Sequence, residues 1–101
     1  MEVYESIINR INSMLDEVEN NIILNRRSKE LINNDLNNII NISIDTKDFF
    51  KSIYYEEKQE IVLEEITQED ANIIFSKLTE CIARGAFLKS IIYMKDYTQS
   101  Y

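Results

Sequence analysis

Proline and histidine are absent from this 101-residue chain, and glycine and cysteine occur once each, as Gly85 and Cys81. Each absence removes a class of structure or chemistry. β-Sandwiches and barrels need many tight turns, and those turns draw on Gly, Pro and Asn-Gly pairs. Their near absence points to helices joined by few connections. Without histidine there is no imidazole base, no imidazole metal ligand and no Ser-His or Cys-His nucleophile pair. One glycine cannot build a phosphate-cradling loop. One cysteine can form neither an internal disulfide nor a cysteine zinc site. Calcium loops need a central glycine between alternating Asp/Asn ligands, and carboxylate di-iron bundles need Glu-x-x-His. The chain has neither pattern. The reading is a non-catalytic protein with no cofactor and no metal.

Basic residues are also in the minority. Eleven Lys and Arg face eighteen Asp and Glu, for a net charge of −7. Nucleic-acid affinity comes largely from cations that neutralise phosphates, so nucleic acid is an unfavoured partner and a regulator of that kind ranks third. Three cations, Arg26, Arg27 and Lys29, form the one basic knot. They suit a solvated turn or salt bridges better than a nucleic-acid site. No run approaches the roughly 20 apolar residues of a membrane span, and the first residues lack the basic start and apolar stretch of a signal peptide. A cytoplasmic location is expected, in the host cell if the source is a phage. Abundant Ile and Asn, with scarce Ala, Arg, Gly and Pro, suggest a low-GC bacterium, its phage or a plasmid.

What is present is periodicity. Apolar residues make up 45% of the chain, enough for one globular domain spanning residues 1–101. Tyr4, Ile8, Ile11, Leu15, Val18 and Ile22 are spaced 4, 3, 4, 3, 4. The register continues through Asn25 and Lys29 to Ile32, Leu36 and Ile39, as a heptad repeat does. Ile7 and Met14 widen the stripe, as a bundle helix requires. Two readings of the polar layer stay open. In one, a single helix runs from about 2 to 42, and Ile8, Ile11, Leu15, Val18, Ile22 and Asn25 form a self-association seam for a homodimer. In the other, residues 25–28 are a turn and Ser28 caps a second helix.

Residues 40–66 admit two readings as well. Ile40, Ile42 and Ile44 alternate as in a short strand, which the segment 60–64 would pair with as a hairpin. Asp45 or Thr46 would then cap a helix carrying Phe49, Phe50, Ile53 and Tyr54. The last helix is clearer. Thr67 suits an N-cap, Glu69 and Asp70 suit the first turn, and Ala71, Ile74, Phe75, Leu78, Cys81, Ile82, Gly85, Leu88, Ile92 and Tyr93 recur at helical spacing to about residue 97. Mid-helix glycine costs about 1 kcal/mol relative to alanine. The small residues Cys81, Ala83, Gly85 and Ala86 therefore imply close approach of another helix, with Cys81 an inert core thiol. The expected fold is all-α, a three- or four-helix bundle with a long heptad-patterned N-terminal helix. The alternative is α+β, with a small hairpin within residues 40–66.

Two features suggest binding. Between residues 56 and 70 seven carboxylates face one lysine, Lys58, a local net of −6. Glu56, Glu60 and Glu64 would share a helical face with Glu57 and Glu65 close by, and such a column repels itself. A basic protein surface would relieve that repulsion; a solvated face is the plainer account. Tyr93, Tyr97 and Tyr101 recur every fourth residue, and tyrosine is favoured in binding hot spots. In size, acidity and helical pattern the chain resembles small bacterial immunity proteins and phage-encoded inhibitors of host defence, at the level of class and without a shared motif. That likeness implies an inhibitor acting by stoichiometric binding to a protein. The alternative function is a coiled-coil, self-assembling structural or scaffold subunit.

Overall fold

The computed structural model describes residues 2–52 and 67–98. Among them are three helices and no strand: α1 (Glu2–Leu24), α2 (Lys29–Lys51) and α3 (Gln68–Thr98). The chain is all-α. Residues 60–64, the other half of the expected hairpin, lie outside the described residues.

The helix boundaries follow from local chemistry. α1 ends because Asn25 takes the left-handed conformation, with φ 56°. The Arg26 N–H then donates to the Asn21 carbonyl at 3.0 Å and the Asn25 N–H to the Ile22 carbonyl at 3.3 Å. These two bonds form a Schellman motif, which satisfies carbonyls that the helix end leaves open. Asn is among the few non-glycine residues that adopt this conformation at low cost. Ser28 then caps α2, its hydroxyl accepting from the Leu31 N–H at 3.2 Å. The unbroken helix to residue 42 is therefore excluded, and Asn25 is a chain-reversing residue rather than part of a seam. Thr67 caps α3 as expected, accepting from the Asp70 N–H at 3.0 Å, and Glu69 and Asp70 follow in the first turn.

α2 passes straight through the expected strand and through Asp45 and Thr46, which cap nothing. The alternation of Ile40, Ile42 and Ile44 is overridden by a longer pattern. Ile32, Leu36, Ile39, Ser43 and Phe50 are the buried residues of α2 and share a heptad register. Ser43 fills a core position with a polar group. Its hydroxyl donates to the Ile39 carbonyl at 2.8 Å, so burial leaves it satisfied. Ile42 and Ile44 stay partly exposed.

The helices run up, down and up. Phe50, at the end of α2, lies edge-on to Tyr4 of α1, with centroids 4.8 Å apart, and to Phe75 of α3, at 6.4 Å. Each such pair adds about 0.5–1.5 kcal/mol to area burial. At the other end Lys29, the first residue of α2, lies over the Tyr93 ring of α3. Buried side chains on α1 are Ile8, Ile11, Leu15, Val18 and Ile22, and on α3 Ala71, Ile74, Leu78, Cys81, Leu88 and Ile92. Both sets recur at intervals of three and four, with buried Gly85 filling the step between Cys81 and Leu88. The proposed seam of α1 is thus covered by α2 and α3 of the same chain, where its five apolar members are at most 6% exposed. It is filled within one chain, so a dimer would need another face of α1.

Gly85 explains the tight approach of α2 and α3. A Cβ at this position would lie 2.6 Å from Ile40 Cγ1 and 3.2 Å from Ile40 Cδ1. Only a residue without a side chain lets Ile40 pack there. Of the small-residue patch, Cys81 and Gly85 are buried and Gly85 marks the helix–helix contact, whereas Ala83 and Ala86 are exposed.

Candidate binding surfaces

With the heptad positions consumed by the core, any site has to be sought among exposed residues. Three large side chains of this kind lie on the second half of α3. Phe87, Tyr93 and Met94 are 64–72% exposed. Tyr93 does not continue the core face, because position 92 takes that place. Its ring instead carries the Lys29 ammonium 5.7 Å from its centroid, a cation–π contact. Phe87 and Met94 are seven residues apart and share one helix stripe with Ile73 and Glu80. This stripe was legible as a second period-7 column, offset by two from the core column, but it is masked in the sequence by the stronger core repeat. Ile23 and Leu24, at the end of α1, are also exposed. Contiguous exposed apolar side chains commonly mark interaction sites.

Tyr97 lies in the last turns of α3, and its side chain is outside the described residues, as is Tyr101. The acidic candidates Glu56, Glu57, Glu60, Glu64 and Glu65 also lie outside them. Glu69 and Asp70 fall in the first turn of α3, with Glu69 exposed.

The basic knot is placed in full. Arg26 helps close α1 through its backbone, Arg27 pairs with Asp35 at 3.1 Å, and Lys29 meets Tyr93. Arg84 makes two ion pairs. It reaches Asp16 at 2.6 Å and Glu19 at 2.9 Å on α1, pinning α3 to that helix. These hydrogen bonds, to Glu19 first and then Asp16, hold its guanidinium even more firmly protonated. Sequence reasoning did not single out Arg84, because its partners lie more than sixty residues away.

Cys81 is 1% exposed, and its thiol donates to the Asn12 side-chain Oδ1 at 3.7 Å. Burial raises the thiol above its ordinary value of 9.0; the Arg84 charge opposes this and Glu80 adds to it. A thiol kept protonated at neutral pH is a poor nucleophile. Burial likewise raises the Tyr4 hydroxyl above 10.0. Among the described residues no three His, Cys, Asp or Glu side chains are grouped to hold a metal ion, and no described helix is long and apolar enough to cross a membrane.

The α1–α2 side presents a second exposed surface. Near the start of α1, Val3, Tyr4 and Ile7 form a groove with Asp45, Thr46 and Phe49 of α2. Val3 is 68% and Phe49 56% exposed. No family model matches this chain, and no curated protein or solved structure shows significant similarity to it.

Proposed function

We propose that this chain is a non-catalytic protein-binding domain that acts by stoichiometric occupation of another protein's surface, in the manner of a small acidic inhibitor. The observation that carries this reading is the exposure of Phe87, Tyr93 and Met94 on α3, outside the buried column that runs from Ala71 to Ile92 on the same helix. Large aromatic side chains held on a helix lose little entropy on binding, and together with Met they offer much apolar area. The carboxylates at 56–70 supply the complementary term. Their local net of −6 favours a partner with a basic surface, speeds encounter and sets orientation.

The test is affinity capture from the source cell, identification of the bound protein, and titration of that protein against variants. Tyr93→Ala combined with Met94→Ala is expected to weaken binding at least tenfold with helicity intact. Reversal of Glu57, Glu60 and Glu64 to Lys is expected to weaken it most at low salt, because screening removes the attraction in both chains at high salt. Equal affinity of all variants at every salt concentration would defeat the reading.

A further inference from the structure

We infer that the outward stripe of α1 is a self-complementary docking face for a second copy of this chain, packed antiparallel about a two-fold axis. The stripe consists of Val3, Arg10, Glu17 and Leu24, each seven residues from the next and each exposed. Seven residues rise about 10 Å, so the four side chains form one straight column.

Their order is what selects the occupant. Read in either direction the column runs apolar, charged, charged, apolar, and the two charges are opposite in sign. In an antiparallel pair Val3 of each copy meets Leu24 of the other, and Arg10 of each meets Glu17 of the other. Both charges are available. Neither Arg10 nor Glu17 forms a hydrogen bond or ion pair with any described residue, whereas Arg27 and Arg84 are engaged within the chain. A parallel pair would instead set Arg10 against Arg10 and Glu17 against Glu17.

The flanking columns agree with the same axis. It passes between residues 13 and 14, where Ser13 is small enough to let two helices approach. Half-buried Met14 lies beside it. The groove of Val3, Ile7 and Phe49 at one end of the face would receive Leu24 of the other copy, together with Leu31, which is 47% exposed and follows the same turn. Isologous contacts of this kind use each patch twice. α1 is about 35 Å long, and the bundle is 20 Å across. The face thus offers several hundred Å² per copy, close to the ~800 Å² of a standard interface. Apolar ends provide the contact area, and the central charges set direction and register. The face is separate from the α3 surface proposed for a protein partner, so either can fail alone.

Sedimentation equilibrium of the full chain tests this, with far-UV circular dichroism as a check on folding. The wild type is expected to dimerise with a dissociation constant that is roughly micromolar. Arg10→Glu and Glu17→Arg, each alone, convert two attractive pairs into two repulsive ones and are expected to weaken the dimer about tenfold. The double variant, Arg10→Glu with Glu17→Arg, restores opposite charges and is expected to return within about threefold of wild type. Leu24→Glu is expected to leave a helical monomer. A wild type that stays monomeric at several hundred micromolar overturns the proposal. So does a dimer that is indifferent to the single reversals, or one that the double reversal fails to rescue.

Discussion

Replacing Gly85 by alanine sets two well-characterised effects against each other at one position. Glycine in a helix interior is about 1 kcal/mol less favourable than alanine, so the substitution in open space would stabilise the protein by that amount. Here the added methyl would sit 2.6 Å from Ile40 Cγ1 and 3.2 Å from its Cδ1, with Leu15 Cδ2 behind at 3.9 Å. Cγ1 is close to the backbone of a β-branched residue, so it moves only if χ1 leaves its favoured well or α2 shifts away. Overpacking of this kind costs about 1–3 kcal/mol. The net expectation for Gly85→Ala is a loss of about 1 kcal/mol, or a fall in Tm of about 4–8 °C for a chain near this length. Ile40→Ala removes both offending atoms. In that background Gly85→Ala is expected to stabilise by about 1 kcal/mol, which gives a coupling near 2 kcal/mol. Urea unfolding of the four proteins, with m-values compared to confirm a common transition, measures it. Stabilisation by Gly85→Ala in the wild-type background would refute the close-approach account of the glycine.

Asn25→Ala is expected to cost about 1 kcal/mol because alanine resists the left-handed conformation, while Asn25→Gly should be neutral or slightly stabilising; thermal unfolding separates the two. An unbroken α1 would give the opposite order. Cys81 makes stability depend on alkaline pH. Its folded value is raised above 9.0, so the unfolded chain releases the proton first. The thiol's contribution is therefore complete below pH 9 and is lost as pH rises toward the folded value. As pH rises above 9 the wild type is expected to lose more stability than Cys81→Ala does. Urea midpoints that fall in parallel for the two proteins would contradict this. Tyr4 acts with the same sign above pH 10.0 and is common to both.

Much of the bundle was legible from spacing because heptads report burial directly. The buried positions of α1 and α3 are the ones that the intervals of three and four select. The break after Leu24 was not decidable, because Asn25 and Lys29 are as acceptable in a polar helical layer as in a turn. What separates the readings is the φ of Asn25 and the hydroxyl bond of Ser28, and neither shows in hydrophobicity. The strand reading of Ile40, Ile42 and Ile44 arose because Ser43 occupies a core position with a polar side chain, which hides the heptad of α2 and leaves a false alternation visible. That the seam is covered from within the chain is not legible for a related reason: periodicity says that a stripe is buried, not by which chain. Exposed Phe87 and Met94 give no sequence signal of their own beside the regularly spaced tyrosines, and the partners of Arg84 are separated too widely in sequence for any local pattern to suggest them.

The Arg84 pairing also bears on the order in which the bundle assembles. α1 and α2 are joined by a four-residue turn whose Schellman bonds and serine cap are local, so this hairpin closes a very short loop. Arg84 finds Asp16 and Glu19 only across 65–68 residues of chain. Contacts separated this far are the expensive ones to close and tend to form after local structure. Arg84 is then a late latch on a preformed hairpin. Removing it should leave the refolding rate nearly unchanged and speed unfolding, so that its contribution is to the lifetime of the native state rather than to the route by which that state is reached.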